Sequence, residues 1–411
     1  YVDDETFSGQ CGDNLYWVAD ENGLSVSGTG EEWDFKSNGS DSFINKYELS
    51  VDSLVFENGL TKIGQNAYIG LSINDVQEKL IIPESVEKIS ETAFKGMKSI
   101  KSIDIKGNVN YIGDEAFYNV DKLETVYFYG PAPEHFGNNA ISKDVTIYYV
   151  PGQAGWENGW NGYKTELWIN EELLQDLITR AENGDDEAQF GLAKCYATGV
   201  GTDKNLEKAV EWYTKSAENG NYKAQNNLGI CYYNGEGVTQ NYVEAVKWYT
   251  KAAEQGVDSA QENLGWCYYF GEGTEQDYSE AVKWWTKSAE QGNKYAQYYL
   301  GLCYYNGQGV IQDYSETVKW YTKSAEQGYA SAQNNLGVSY YFGEGVTQNY
   351  TEAVKWYTKA AEQGNEYAQY NLGWCYYYGQ GVNKNKTKGR EWIQKAADSG
   401  HEAAIEWLKN N

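Results

Sequence analysis

Histidine is scarce in this chain of 411 residues, and the two that occur, His135 and His401, are far apart in the sequence. We therefore expect no histidine-based catalytic triad and no zinc site with several histidines inside one domain. His135 lies in a loop-like stretch and His401 just past a predicted helix, so both are expected to be solvated. Phosphate-binding loops and EF-hand loops are also missing. The sequence predicts no cofactor, no metal and no enzyme, although its many carboxylates leave a hydrolase open as a remote alternative.

Basic residues and long apolar runs are scarce as well. The chain has 33 Lys and Arg against 59 Asp and Glu, which gives a formal net charge of −26. This charge repels phosphate backbones and anionic lipid, so nucleic acid is not an expected partner. No apolar run reaches the roughly 18 residues of a membrane span, so membrane insertion is not expected. The first residue is Tyr1 and not methionine, which leads us to expect an extracellular or cell-surface protein whose secretion signal was removed.

Aromatic side chains are abundant: 38 Tyr and 15 Trp contribute most of an aromatic share of 16%. Disordered chains are poor in these residues, so the chain is expected to be folded. The composition changes near residue 165. Before it, short apolar runs alternate with turn residues, and after it Ala, Trp, Tyr, Glu and Lys recur at helical spacing. The sequence therefore predicts two domains, residues 1–165 and residues 166–411.

The second domain repeats with a period of 36 residues. In the unit Asn221–Gly256, Ala224, Leu228 and Cys231 share one face of a first helix. The glycine turn Gly235–Gly237 ends that helix, and a second helix follows. Equivalent residues recur along the chain at Gly184, Gly220, Gly256, Gly292, Gly328, Gly364 and Gly400, and at Trp212, Trp248, Trp284, Trp320, Trp356 and Trp392. One helical hairpin cannot bury its own apolar face, so the units are expected to stack.

The repeated string A-x-x-x-L-G-x-x-Y-x-x-G-x-G, followed by A-x-x-W-Y-x-K-A-A-E-x-G, resembles the Sel1-like repeat, a relative of the tetratricopeptide (TPR) repeat. Six units occupy residues 185–400, and partial helices precede and follow them. The resemblance implies an α/α superhelix that holds partners and has no chemistry of its own. The terminal units depart from the pattern at Ala193, Gly389 and Ile393, and we expect them to act as caps.

The first domain has a shorter period. Residues 82–94 recur as residues 105–117, and a looser copy is found at residues 56–68. A strand-like apolar stretch in each copy is typical of leucine-rich repeats. The phrase I-G-x-x-A-F resembles the BspA-like subclass, which occurs on surface proteins of bacteria and some protists. Residues 13–35 predict a hairpin that turns at Asn22-Gly23, and it resembles the segment that opens such proteins.

The predicted fold class is therefore α+β and multidomain. It comprises an N-terminal leucine-rich-repeat β-solenoid with a hairpin cap, followed by an all-α repeat solenoid, an α/α superhelix.

Five of the six cysteines occupy one repeat position: Cys195, Cys231, Cys267, Cys303 and Cys375. Equivalent helices of adjacent units should lie about 10 Å apart, whereas a disulfide needs Cα atoms within roughly 7 Å. We expect these cysteines to be unpaired core residues. Cys11 is alone in its domain, and it would be the reactive thiol if exposed.

A second set of aromatic residues lies on the side of the first helix that faces away from Ala224, Leu228 and Cys231. In tetratricopeptide relatives this side lines a concave groove. Tyrosine suits recognition because it offers a large contact area and a hydroxyl at little cost in side-chain entropy. The predicted partner-binding residues are Tyr233, Trp266, Tyr269, Phe270, Tyr298, Tyr305, Tyr341, Phe342, Tyr370, Trp374 and Tyr377. The alternative that these rings pack on neighbouring repeats and leave no groove stays open.

The leading functional hypothesis is a non-catalytic bacterial scaffold, secreted or on the cell surface, that binds a protein or peptide through this groove. Tyr and Trp also stack on sugar rings and Asn bonds their hydroxyls, so recognition of a surface glycan or peptidoglycan is the alternative.

Overall fold

A computed structural model describes residues 7–20, 23–35, 50–73, 77–156 and 160–410. Contacts between Cα atoms divide the chain into two compact units, the first ending at Asn219 and the second beginning at Gly220. The predicted division by repeat type, after residue 165, stays a prediction. It falls inside a strand, Thr165–Leu167.

The first unit begins with short strands. They are Phe7–Asp20 (β1), Gly23–Glu32 (β2), Ser50–Val51 (β3), Leu54–Phe56 (β4), Leu60–Ile63 (β5), Ser72–Ile73 (β6), Lys79–Ile82 (β7), Lys88–Ile89 (β8), Ser102–Ile105 (β9), Tyr111–Ile112 (β10), Thr125–Phe128 (β11), His135–Phe136 (β12), Thr146–Tyr149 (β13) and Thr165–Leu167 (β14). One sheet has the order β1-β2-β5-β8-β10-β12, with β4 also paired to β2, a second has the order β14-β13-β11-β9-β7, and β3 pairs with β6. These ladders are parallel except for β1 with β2.

The parallel strands confirm the leucine-rich-repeat prediction, because successive copies place equivalent residues side by side. Tyr68, Phe94 and Phe117 are all buried. Their rings stack in series, with centroids 5.3 Å apart for the first pair and 5.1 Å for the second. Stacked rings of this kind bury a large apolar area in a defined geometry. The aromatic residue of I-G-x-x-A-F therefore forms the core of the solenoid.

The predicted hairpin is present as the antiparallel pair β1 and β2. The register pairs Asp20 with Gly23. Of the turn predicted at Asn22-Gly23, Asn22 lies outside the described residues.

Helices follow the last strand. They are Glu171–Glu182 (α1), Asp186–Thr198 (α2), Leu206–Glu218 (α3), Tyr222–Asn234 (α4), Tyr242–Glu254 (α5), Asp258–Phe270 (α6), Tyr278–Glu290 (α7), Lys294–Asn306 (α8), Tyr314–Glu326 (α9), Ala330–Phe342 (α10), Tyr350–Glu362 (α11), Glu366–Tyr378 (α12), Lys386–Asp398 (α13) and Glu402–Asn410 (α14). The helices α1 to α3 belong to the first unit and α4 to α14 to the second.

Local sequence sets the ends of these helices. The second helix of a repeat begins at an Asn or Asp cap; Asn241, for example, accepts hydrogen bonds from the backbone N–H groups of Val243 and Glu244 at 3.1 and 3.2 Å. The first helix ends at a left-handed glycine such as Gly235, whose φ is 76°. The Gly-x-Gly turns therefore end the first helices, as the sequence predicts, and the Asn or Asp caps begin the second helices.

Buried glutamines join neighbouring repeats in a row that we call the glutamine ladder, made by Gln261, Gln297 and Gln333. Gln333 illustrates the pattern: its side-chain amide donates to the carbonyl oxygen of Ala325 at 3.0 Å. Its own amide oxygen accepts from the amide of Gln363 at 2.8 Å. Because the three glutamines are buried, these bonds replace lost hydration and tie three successive helices together.

The cysteines lie in the core, as predicted. The structure shows all six as free thiols; Cys231 is half-buried and the others are buried. Burial raises the pKa of the thiol of Cys303 and of its equivalents, which makes them poor nucleophiles. Cys11 is fully buried too, and burial beside Glu32 raises the pKa of its thiol well above the usual range. The condition for a reactive Cys11 is therefore not met.

The expectation that both histidines are solvated is confirmed for His135, which is exposed, and only partly met by His401, which is half-buried. His135 is exposed, but it lies in strand β12 and stacks on Tyr111 at 4.3 Å. His401 is half-buried: its Nδ1 accepts from the backbone N–H of Ala404 at 3.2 Å, and its ring stacks on Tyr370 at 4.5 Å. Strand pairing holds His135 in the sheet, and the hydrogen bond from Ala404 makes His401 the cap of the last helix.

Candidate functional site

We define the first-helix face of the second unit as the surface made by the equivalents of Asn226, Ile230, Tyr233 and Asn234 in its first helices. Its tyrosines are half-buried, and their hydroxyls reach the glycine turn of the next repeat. The Tyr269 hydroxyl is hydrogen-bonded to the Gln308 side chain at 2.8 Å. Tyr341 makes the same bond to Gln380 at 2.7 Å. Part of the predicted aromatic column therefore also holds the scaffold together.

A cavity opens on this face where the helices α4, α6 and α8 succeed one another. Its volume is about 270 Å³, and its lining consists of Tyr233, Tyr249, Glu262, Asn263, Trp266 and Tyr299. The rings are set at steep angles: Trp266 and Tyr299 have centroids 4.9 Å apart and planes 68° apart. Tyr299 in turn stacks on Trp285 at 5.1 Å. Packing from behind holds the ring of Tyr299 in place, so this wall of the cavity is formed before any ligand arrives. We call this space the Glu262 cavity.

Glu262 is the one acidic side chain among the residues that line this cavity. It is half-buried, and desolvation followed by repulsion from Asp258 raises the pKa of its carboxyl to about 7. Among the described residues, no hydrogen bond or ion pair satisfies the carboxylate. Its backbone carbonyl is occupied, since it accepts from the indole N–H of Trp285 at 3.0 Å.

A second cavity of about 190 Å³ lies on the same face between α8 and α10. Its lining consists of Leu302, Tyr305, Asn306, Tyr321, Asn335, Val338 and Ser339. None of these residues is charged. At the position equivalent to Glu262 stands Asn334, whose side-chain oxygen accepts from the amide of Asn371 at 3.0 Å. We call this space the Asn335 cavity, and it can offer only apolar contact and neutral hydrogen bonds.

The structure brings three of the predicted partner-binding residues into these cavities: Tyr233 and Trp266 into the first and Tyr305 into the second. Phe270 and Phe342 are exposed, at 49% and 63%, and each ring contacts the tyrosine that precedes it. The hydroxyls of Tyr269 and Tyr341 are thus bonded to the next repeat, and their rings contact an exposed phenyl ring. These two tyrosines do not line the cavities.

Tyr298 packs inward, against Tyr321 at 5.7 Å and Tyr329 at 5.1 Å. The other three predicted residues meet the closing helix α14. Trp374 and Tyr377 contact Trp407, with centroids 5.7 and 5.3 Å apart.

Sequence analysis missed Tyr249 and Tyr321 from the second helices and the column of Asn263, Tyr299 and Asn335. The column did carry a signal, because amides recur at Asn227, Asn263, Asn335 and Asn371. This column follows by one residue the repeat position of Tyr298 and Tyr370, which was predicted to bind partners. The sequence does not distinguish Tyr249 and Tyr321 as cavity residues, because aromatic residues occur both at core positions and in cavity walls.

Two further features of the described residues bear on other functions. No helix there is long and apolar enough to cross a membrane. Nor does that part of the chain contain a group of three or more His, Cys, Asp or Glu side chains placed to hold a metal ion.

Comparison with known proteins supports this architecture. The Sel1 repeat model matches residues 186–221, 223–257, 258–293, 294–329, 330–365 and 366–401. The model of the BspA type leucine rich repeat region matches 6 copies within residues 36–151. No curated protein matches the chain.

The solved structures that are similar to the chain include two bacterial proteins. A protective antigen present in uropathogenic Escherichia coli strains, which displays an SLR fold, is 41% identical with a TM-score of 0.55; the match covers 57% of this chain and 50% of that one. A Sel1 repeat protein from Oxalobacter formigenes is 38% identical with a TM-score of 0.50, over 55% of this chain and 90% of that one. The match thus spans only half the length of the E. coli protein. The chain belongs to the Sel1 repeat family, and a BspA-type leucine-rich repeat region precedes its helical repeats.

Proposed function

We propose that this protein is a non-catalytic bacterial scaffold, secreted or displayed on the cell surface, that binds a segment of a partner protein along the first-helix face. The observation that carries the proposal is the pair of cavities on that face. Each lies between successive first helices and is lined by aromatic rings and amides. Small concave sites with a mostly apolar lining and a few polar groups are the usual form of a binding site.

The spacing of the cavities favours an extended ligand over a small molecule. They occur two repeats apart on one surface, between them stands the exposed ring of Phe270, and Phe342 lies beyond. Side chains of one segment can enter both cavities while its backbone crosses the rings between them. Repeat scaffolds typically bind partners through such continuous surfaces.

Similarity to the E. coli protective antigen supports the proposed location, since an antigen that protects is accessible to the host. The BspA-type region supports it as well, because the resemblance is to surface proteins.

The proposal is tested by replacing Tyr269, Tyr305 and Tyr341 together with Ala and measuring capture of partners from host and bacterial surface extracts. Two of these tyrosines also bond to the next repeat, so circular dichroism must first show that the variant is folded. A matched variant with Tyr→Phe at the same three positions removes the hydroxyls and keeps the rings. We expect the alanine variant to lose its partner and the phenylalanine variant to keep it. Unchanged capture by a folded alanine variant contradicts the proposal.

Glycan binding is the second candidate, favoured by Asn263, Asn306 and Asn335, whose amides line the two cavities beside tyrosine rings. An array of bacterial and host glycans distinguishes it: hits that the alanine variant loses favour a glycan. A hydrolase of the glycosidase type would need a general-acid carboxyl with a raised pKa beside a second carboxylate in one cleft. The lining of the Glu262 cavity holds one carboxylate, that of Glu262, so it does not present such a pair.

A further inference from the structure

Glu262 breaks the pattern of its own repeat position. The equivalents in the other five units are Phe190, Asn226, Tyr298, Asn334 and Tyr370, so neutral side chains satisfy the fold there. At Asn226 and Asn334 the side chain is buried, and Asn334 takes part in an amide network with Asn335 and Asn371. A carboxylate is therefore not needed to build the repeat, and at position 262 it costs desolvation without a compensating bond.

The walls around Glu262 present the faces and edges of aromatic rings. Trp266 also stands alone among the interior repeats, where its equivalents are Ile230, Leu302 and Val338. Tryptophan has the most electron-rich face of the aromatic side chains, and cations bind over such faces within about 6 Å of the ring centroid. The Glu262 cavity thus joins a half-buried carboxylate without a hydrogen-bond partner among the described residues to rings that attract a positive charge.

We propose that the Glu262 cavity binds one basic side chain, a lysine or an arginine, of the partner segment. The inference rests on the proposed function and adds the charge of the partner. The ammonium or guanidinium group pairs with the Glu262 carboxylate, while Trp266, Tyr249 and Tyr299 enclose the alkyl stem and contact the charge. The amide of Asn263 supplies a further acceptor.

Other occupants fit less well. An acidic side chain meets the like charge of Glu262, and an apolar one leaves the carboxylate buried without a partner. The Asn335 cavity, which has no charge in its lining, is suited to an apolar or neutral side chain instead. The net charge of −26 on the chain attracts a basic segment over distances longer than a contact and raises the rate of encounter.

The repeats themselves provide the variants for a test. Glu262→Asn introduces the residue found at Asn226 and Asn334, so it removes the charge with a side chain that the repeat already accommodates. Glu275→Thr is the matched control. It removes one exposed carboxylate of the same repeat, from outside the cavity, and Thr239 and Thr347 occupy the equivalent position.

The experiment probes an immobilised positional-scanning octapeptide library with the full chain. The unmodified protein and Glu275→Thr are expected to select Lys or Arg at one position, and Glu262→Asn is expected to lose that preference by about tenfold while retaining the rest of its profile. Peptide binding with no basic preference, or a preference that survives Glu262→Asn, overturns the inference and leaves the proposed function standing. Failure of every peptide to bind counts against the proposed function itself.

A direct titration confirms the site. The tripeptide Ac-Gly-Lys-Gly-NH2 and its arginine and norleucine counterparts are added to protein labelled with ¹⁵N in the tryptophan indoles, and Trp266→Leu assigns the reporting signal. We expect saturable shifts with the lysine or arginine peptide, absent from Glu262→Asn and weaker by about tenfold or more with norleucine. Equal shifts with norleucine, or none with either basic peptide, contradict the proposal.

Discussion

The hydroxyl of Tyr233 donates a 2.5 Å hydrogen bond to the carboxylate of Glu272, in the glycine turn of the next repeat. Tyr269 and Tyr341 make equivalent bonds to the neutral amides of Gln308 and Gln380. The repeat thus uses one geometry with a charged acceptor at Tyr233 and neutral acceptors at Tyr269 and Tyr341. Hydrogen bonds to charged groups are the stronger kind, so the series separates the effect of the acceptor's charge from that of the ring.

Tyr233→Phe is expected to lower the free energy of unfolding more than Tyr269→Phe does. The second substitution loses a neutral bond worth about 0.5–1.5 kcal/mol, and the first a charge-assisted bond worth about 1.5–3 kcal/mol. Urea denaturation of the two variants measures both. In a protein that carries Glu272→Gln, Tyr233→Phe should cost about as much as Tyr269→Phe does. Equal costs of Tyr233→Phe and Tyr269→Phe in the original protein would contradict the assignment.

The glutamine ladder gives a second stability prediction. Gln333→Ala removes two neutral hydrogen bonds, although the Ala325 carbonyl keeps its bond from Gly328 and the Gln363 amide keeps its bond to the Lys359 carbonyl. At about 0.5–1.5 kcal/mol for each neutral bond, the loss should cost about 1–3 kcal/mol. Gln369 is the natural control: its amide bond to the Ala361 carbonyl is long, at 3.3 Å, and its side-chain oxygen has no partner among the described residues. Thermal unfolding should rank Gln369→Ala as the milder change, and the reverse order would argue against the ladder.

Glu32 makes the stability of the first unit dependent on pH. Its carboxylate is buried and accepts from the Tyr68 hydroxyl at 2.6 Å and the Gly64 N–H at 2.9 Å. Burial is the larger influence and raises its pKa to about 7. A carboxyl that holds its proton more tightly when folded stabilises the protein at low pH, and this contribution is lost as the pH rises through the folded pKa.

We therefore expect the free energy of unfolding to fall between about pH 5 and about pH 8, and Glu32→Gln to flatten that fall. Denaturation curves at several pH values measure the slope. Glu262 adds a slope of the same sign in the second unit, so Glu262→Asn serves as the comparison. A slope that neither substitution changes would show that other groups set it.

Binding of a basic segment should have the opposite dependence on pH. The groups that face Glu262 are Asp258, Tyr249, Tyr299 and Cys267, and Asp258 is the one carboxylate among them. Because the pKa of Glu262 is about 7, its charge, and with it the affinity for Ac-Gly-Lys-Gly-NH2, should rise from about pH 6 to about pH 8. A titration of Glu262→Asn over the same range should show no such rise.

The fold could be predicted from the sequence because the residues that mark turns, caps and core positions recur in successive repeats. Gly235 and its equivalents, the Asn241-type caps and the I-G-x-x-A-F phrase each mark a turn or a core position by repetition. Side chains whose role depends on a neighbouring repeat were harder to interpret. Trp374 and Tyr377 meet the closing helix, and Tyr298 packs inward. Angular position on one helix does not determine what the next helix covers.

Glu262 is informative for the opposite reason. It differs from Asn226 and Asn334, which occupy equivalent positions. The importance of that difference is apparent only in the structure, where the carboxylate lines a cavity and has no hydrogen-bond partner among the described residues. A departure from a repeat can mean a cap, as we expect at Ala193, or a recognition position. Distinguishing the two requires knowing what surrounds the side chain.

The glutamine ladder also bears on how such proteins evolve. Each rung joins residues of adjacent repeats, so a whole unit can be inserted or deleted and the remaining rungs re-form with the new neighbour. Length thereby becomes a variable that unequal recombination can change without redesigning the core. A bacterium could in this way extend or shorten the array of cavities, and so vary which partners it contacts, while every intermediate protein still folds.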